Sequence, residues 1–487
     1  MLTGAMLAKV ATAAGYVVLG WLVPAEEFGT YAFVLGIAVV ARALQDQGVR
    51  EILISRPPSE FREHCRSVLI YGAALNAAAV MLLAGLGALV RSTQGPAFPL
   101  TLALVAFSII CGTPWPVGAA KLSLQRRFHT LSLLTTSAVV VQYSVAIIAA
   151  LVIPGAVALT GALVAAAVFK GASACWILRS DLRASGTPLL RRYFGESAAL
   201  ILGSAAFLLS QEGDYLVAGL MVSASATGIY YFAYQVPYQF ASALGAALHS
   251  VLLPFMASTT RERPDETARL LMRSSESLLL SMAMAGSMLA LLAPYIEQVV
   301  WRGRWGVAVL PITIMSLFMP ARALVEPMKA LYLGSGRFRR WILEAASLAT
   351  GVVTGGLVGS TISTTPLGLT FGVGLGLSIM VSTMLWRTVV EATESRAQSR
   401  AFALRMLGTY ILTTGLTWVV ALAATLDLIE HVPGRAHFIA VCGVGTVTTI
   451  QVVLLRRTLV RDTLTILYST RRRDRRVDHA RPRRWLR

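Results

Sequence analysis

Apolar stretches of about 20 residues, the length a helix needs to cross a bilayer, recur along the whole chain and are separated by short polar gaps. Read against breaks at Pro, Gly and charged residues, the pattern predicts about fourteen spanning helices. The predicted spans are 2–23, 28–53, 67–90, 98–120, 131–153, 157–178, 197–221, 228–256, 270–295, 306–333, 341–360, 367–390, 404–426 and 438–455. The gaps alternate in charge. Those after even-numbered helices carry Arg56, Arg62 and Arg66, then Lys121, Arg126 and Arg127, then Arg179, Arg183, Arg191 and Arg192. The series continues through Arg261, Arg263 and Arg269, then Arg337, Arg339 and Arg340, then Arg396, Arg400 and Arg405. Gaps after odd-numbered helices hold only Arg91, Arg302, Arg304 and Arg435. Basic loops are retained in the cytoplasm, so both termini are expected there. One helix more or fewer would scramble the alternation.

Composition agrees. The chain is 56% hydrophobic and 14% charged, against about 45–50% and about 25% in soluble domains. The expected class is therefore all-α, a polytopic membrane protein. A net charge of +19 would suit a nucleic-acid binder, but its basic residues lie in the gaps and in a C-terminal tail running from Arg471 to Arg487. That distribution fits a cytoplasmic segment lying on anionic membrane lipid and needs no nucleic acid partner. Cys65, Cys111, Cys175 and Cys442 are far apart, which argues for free thiols and against disulfides or a metal centre. There is no Walker A loop and no HExxH pair, and the histidines are scattered, so no cofactor is expected and ATP-driven chemistry within the chain is unsupported. The gaps on the far side are too short for a catalytic domain, and the chain is not expected to be an enzyme.

An internal repeat emerges when the two halves are aligned. Gly29-Thr-Tyr31-Ala-Phe33 opens the second helix and Gly228-Ile-Tyr230-Tyr-Phe232 opens the eighth. Lys121 to Arg127-Phe128 leaves the fourth and Lys329 to Arg337-Phe338 leaves the tenth. Both pairs imply a shift of six helices, which preserves orientation and relates the halves by an axis along the membrane normal. The expected organisation is an N-terminal lobe at 1–194, a C-terminal lobe at 195–400, two extra helices at 401–460 and a basic tail at 461–487.

Leu22, Pro24, Phe28, Gly29 and Tyr31, followed by Asp46 and Gly48, resemble the opening of bacterial oligosaccharide flippases of the polysaccharide transporter family. Leu124-Gln-Arg126-Arg-Phe128, Gly334 with Gly336-Arg337, and the Gly-rich run from Gly368 to Gly376 extend the likeness over most of the chain. The sequence departs from the family at Trp21, near which members commonly carry an arginine. The resemblance implies the fold of the multidrug and oligosaccharidyl-lipid exporter superfamily, with two six-helix lobes around a central cavity and two added helices. It also implies a cytoplasmic-membrane flippase for an undecaprenyl-diphosphate-linked oligosaccharide, working beside a polysaccharide polymerase and glycosyltransferases. The alternative is an ion-coupled exporter of small molecules of the same superfamily.

Charged groups inside predicted spans are costly unless they face protein or water, which makes each a candidate. Arg322, Glu326 and Lys329 share one face of the tenth helix, bracketed by Pro320 and Pro327, which favour a kink. They could line a cavity, or Arg322 could pair with Glu326 while Lys329 snorkels. Arg42 lies deep in the second helix, with Asp46 one turn away as an alternative partner. Lys9 and Lys170 complete the cationic set, which suits the bidentate or point-charge grip of a diphosphate. Glu212 and Asp214, two residues apart and so on different faces, join Asp46 and Glu326 as candidates for a coupling H⁺ or Na⁺. Tyr230, Tyr231, Tyr234 and Tyr238 could stack on sugars or simply pack.

Overall fold

The computed structural model describes residues 2–46, 49–54, 61–90, 95–181, 190–262, 264–393, 396–425 and 445, and among them every regular element is helical. The first lobe contains α1 (Leu2–Leu22), α2 (Ala25–Asp46), α3 (Val49–Ile54), α4 (Phe61–Val90), α5 (Phe98–Gly112), α6 (Trp115–Leu124), α7 (Phe128–Val152) and α8 (Ala156–Leu178). The second contains α9 (Leu190–Met221), α10 (Ala224–Glu262), α11 (Pro264–Ile296), α12 (Val309–Ala323), α13 (Val325–Gly334), α14 (Phe338–Ile362) and α15 (Pro366–Thr393), followed by α16 (Arg396–Thr425). Each of the first thirteen sequence-derived spans falls on these helices, the second on α2 and α3, while α4, α9 and α16 begin at Phe61, Leu190 and Arg396, ahead of the expected 67, 197 and 404. The fourteenth, 438–455, lies outside the described residues but for Gly445, and so does the whole tail, 461–487.

Among the described residues, nine helices are long and apolar enough to cross a membrane. Many of their large apolar side chains face outward, including Met81, Leu89, Val152, Val299 and Ile362, each at least three-quarters exposed. Water would penalise that surface and lipid does not. The chain is a multi-pass membrane protein.

The repeat read from the sequence has a structural counterpart at three places. The fourth span breaks between α5 and α6 around Thr113 and Pro114, and the tenth breaks between α12 and α13 at Leu324. Both spans then end in the same turn. Arg127 donates its N–H to the Leu122 carbonyl at 2.9 Å, and Arg337 donates to that of Tyr332 at 2.8 Å. This is a Schellman motif, which requires one residue in the left-handed region. Gly336 fills that position at φ 71° in the second lobe, whereas Arg126 holds it at φ 56° in the first.

The third place is where the lobes meet. A Cβ on Gly29 would strike the Ala224 carbonyl, and one on Gly228 would strike that of Ala25. The contact is reciprocal, as a two-fold relation between the halves demands, and it brings α2 and α10 together backbone to backbone. Small residues do the same inside the second lobe, where Gly351, Gly355 and Gly359 of α14 lie against Gly368, Gly372 and Gly376 of α15. Pro24 stops α1, and the acidic turn that follows has a structural use. Glu27 accepts the N–H of Ala156 at 2.7 Å, covering an otherwise unsatisfied amide at the start of α8.

Candidate functional site

The two lobes touch mainly along one seam, where α2 packs against α9 and α10. Gly36 lets α2 approach the backbone of Tyr215 and Leu216 on α9. Arg42 of α2 then meets Glu212 of α9 in an ion pair that crosses from one lobe to the other. The side chain of Asp46, one turn away, lies outside the described residues. The side chains of Arg42 and Glu212 are 34% and 19% exposed, so neither is sealed from water nor freely solvated. Tyr31 and Tyr238 lie beside the pair.

Glu212 and Asp214 face different ways, as a spacing of two requires. Asp214 is buried in the second lobe and accepts the Tyr230 hydroxyl at 2.5 Å and the Tyr215 N–H at 3.1 Å. Arg322 of α12 approaches the same region. Its Nη1 donates to the Ser210 carbonyl at 3.2 Å, and its guanidinium lies over the rings of Tyr234 and Tyr238 at 5.6 and 5.4 Å. Its Nη2 and the Tyr234 hydroxyl lie buried beside one another, close enough to interact though outside ideal hydrogen-bond geometry.

Lys9 crosses the seam from the other side. Its Nζ donates to Ser242 Oγ at 2.7 Å and to Gln239 Oε1 at 3.5 Å, both on α10. Gln239 in turn donates to Gln235, which donates to the Tyr215 hydroxyl at 3.2 Å. The result is a polar ladder running along the seam. Gln235, Gln239 and Ser242 did not stand out in the sequence, because they carry no charge. Their signal was a spacing of i, i+4 and i+7 on an otherwise apolar helix.

The remaining candidates are placed differently. Lys329 caps an aromatic pair within the second lobe, with its Nζ 4.1 Å from the Phe207 ring and 5.7 Å from Trp341. Glu326 is half-buried and its stem lies against Gly245 of α10. Lys170 is half-buried on α8.

On the face opposite the basic gaps, the seam is closed by aromatic rings. Phe232 stacks on Trp305 with centroids 3.9 Å apart and an angle of 8°. Phe28 packs edge-on against Trp305 at 5.8 Å, and Tyr16 shares a 2.7 Å hydrogen bond with Tyr231. The indoles of Trp301 and Trp305 donate to the carbonyls of Val17 and Gly20 at 3.1 and 2.9 Å, tying α1 of the first lobe to the second. Buried Glu297 holds the Trp305 backbone N–H at 2.8 Å. Neither tryptophan was distinguishable in the sequence from an interfacial anchor. Arg302 lies over the Trp21 ring at 5.8 Å, so a cation from the second lobe stands near the position where the first helix lacks its own. The tyrosines of α10 divide between two tasks. Tyr230 and Tyr231 pack in the seam, and Tyr234 and Tyr238 lie under Arg322.

Comparison with curated proteins finds no match for this chain. Among solved structures it is similar to the inward closed conformation of the lipid II flippase MurJ, with a TM-score of 0.69 and 11% identity over 94% of this chain and 99% of that one. It is also similar to the inward-facing conformation of a multidrug resistance MATE family transporter of the MOP superfamily, with a TM-score of 0.63 and 13% identity over 81% of this chain and 96% of that one. A MOP superfamily transporter from Pyrococcus furiosus aligns at a TM-score of 0.55 and 13% identity, over 83% of this chain and 95% of that one. Identities this low establish a shared fold. Residues 18–310, more than half of the chain, match the family described as polysaccharide biosynthesis protein. The chain therefore belongs to the polysaccharide biosynthesis protein family and has the fold of the MOP superfamily transporters.

Proposed function

We propose that this protein is a flippase that carries a lipid-linked oligosaccharide, its sugar joined through a diphosphate to an undecaprenyl chain, across the cytoplasmic membrane for surface polysaccharide synthesis. The observation that carries this reading is the convergence of Arg42, Lys9 and Arg322, from both lobes, on a single seam, with Glu212 beside Arg42 and Asp214 beside Arg322. Cations in a membrane protein are tolerated when they serve a polar ligand or pathway, and a diphosphate is the anion that arginine grips in two places at once. Family membership points to polysaccharide synthesis, and the MurJ neighbour acts on a lipid-linked substrate, lipid II. The fold is also that of MATE exporters, but nothing at the seam favours a small-molecule cargo over an anionic one.

In the mechanism we propose, residues 1–194 and 195–400 rock as two bodies, with 401–460 as added helices and the tail 461–487 on the cytoplasmic side with both termini. The aromatic closure marks the state shut toward the outside. Arg42 is neutralised by Glu212 in that state. A diphosphate competing for Arg42, or an H⁺ or Na⁺ neutralising Glu212, breaks the bridge and lets the lobes separate. Asp214, Asp46 and Glu326 are further candidates for the coupling ion. Lys170 and Lys329 are assigned to the walls of the path, and a polymerase and glycosyltransferases are the expected partners.

The test is transport in proteoliposomes of a fluorescent prenyl-diphosphate oligosaccharide, read by loss of signal to an impermeant quencher. Arg322→Gln and Lys170→Gln should each slow transport by about tenfold, the effect of removing one charge-assisted hydrogen bond. Full activity in both variants would remove the cationic path, and failure of the wild-type protein to move the labelled lipid would remove the function.

A further inference from the structure

A cavity of about 830 Å³ opens within the second lobe, where the ends of α10, α13 and α15 meet the starts of α11 and α16. These ends belong to the basic face of the molecule. The volume falls within the range of small-ligand sites. It is not part of the seam, because the described residues that line it include none from α1, α2 or α9.

The charges on its wall are unbalanced. Arg269, Arg337 and Arg405 line it, with Glu391 as the acidic residue among the described ones. Glu391 is shared between Arg337 at 3.5 Å and Arg340 at 3.2 Å. Arg405 is steadied by buried Glu276 at 3.5 Å, behind the wall. Arg269 is exposed and has no acidic partner among the described residues. Two hydroxyls on the wall, those of Thr260 and Thr267, are buried and make no hydrogen bond. The site thus combines clustered positive charge at the basic ends of the helices with one apolar side, formed by Phe402 and Met272. A sugar or a metal ion would not call for this set. A phosphate ester on a hydrophobic body would.

We propose that this cavity binds the phosphate-bearing headgroup of a membrane lipid, with Arg269, Arg337 and Arg405 as its ligands. Two lipids share that chemistry, a bulk anionic phospholipid and a prenyl diphosphate. The site stands apart from the seam, so its failure would leave the flippase reading intact, and failure of that reading would leave this site to be judged on its own binding.

The full-length protein would be placed in nanodiscs of phosphatidylcholine and titrated with phosphatidylglycerol or with undecaprenyl diphosphate, reading retained lipid by native mass spectrometry and the shift in thermal midpoint. At least one of the two lipids should be retained and raise the midpoint, and soluble diphosphate should displace it. Preferential retention of the prenyl diphosphate would mark a waiting position for the carrier lipid, and of phosphatidylglycerol a bulk-lipid site. Arg269→Glu reverses an exposed, unpaired charge and should weaken retention by about tenfold. Ala401→Trp, at an exposed wall position, should block the cavity without touching an ion pair. Equal retention in both variants, retention of neither lipid, or binding of soluble diphosphate alone would overturn the proposal.

Discussion

Replacing Glu212 with Gln tests whether the bridge between the lobes holds the closed state. The substitution keeps the shape of the side chain and leaves Arg42 charged, so it separates the bridge from any role of Arg42 toward a ligand. Two unit charges about 4 Å apart attract by about 4 kcal/mol at an effective dielectric constant near 20. Part of that is offset by desolvation and by the entropy of holding two side chains. Exposed pairs yield below about 1 kcal/mol, whereas breaking a buried one costs about 3–5 kcal/mol. With Arg42 34% and Glu212 19% exposed, and with glutamine still able to accept a hydrogen bond, the expected loss is about 1–2 kcal/mol. That corresponds to about a 5–30-fold shift in the balance between closed and open forms. Spin labels at Val152→Cys on α7 and Ile362→Cys on α14, on a background without the native cysteines, would report it. Both positions are exposed, at 78% and 80%, at the same end of opposite lobes. Pulsed dipolar spectroscopy should show a longer distance gaining population in the Glu212→Gln protein. The exchange Arg42→Glu with Glu212→Arg should recover the short distance. An unchanged distance distribution for the single variant, with no recovery in the double, would refute the bridge as a lock.

Two further outcomes follow from backbone geometry. Gly228→Val places a branched side chain against the Ala25 carbonyl, so it should prevent closure of the seam, read as loss of the short spin-label distance and of transport. Gly408→Val, at a position with nothing within 4 Å of an added Cβ, should leave both unchanged, and equal behaviour of the two variants would discredit the contact. At the paired turns, Arg126→Gly should raise stability and Gly336→Ala lower it, each by about 1 kcal/mol. Thermal unfolding in detergent checks both, and a silent Gly336→Ala would contradict the assigned turn.

Much of the site was legible as residue type but not as partnership. Arg42, Arg322 and Lys9 stood out because a charge in an apolar run is conspicuous. Helical spacing also separated Glu212 from Asp214 correctly. It could not say that Arg42 would meet Glu212, 170 positions away. Sequence distance carries no information about which helices of two lobes adjoin. Lys329 illustrates the converse. It shares a helical face with Arg322, yet in the structure it caps Phe207 and Trp341, because the break at Leu324 interrupts the helix between them.

The sequence by itself determined the class, the positions of the first thirteen spans, the alternation of basic loops and the six-helix repeat. Each is a local property. A bilayer demands about 20 apolar residues per crossing, and a repeated turn writes the same residues twice. Only the tertiary structure decided that the two repeats meet glycine to glycine, that Trp301 and Trp305 close one end, and that an arginine-lined cavity opens inside the second lobe. Those features depend on where helices distant in the chain come to lie, and lipid, which solvates every apolar face alike, leaves that choice to close packing and polar pairing.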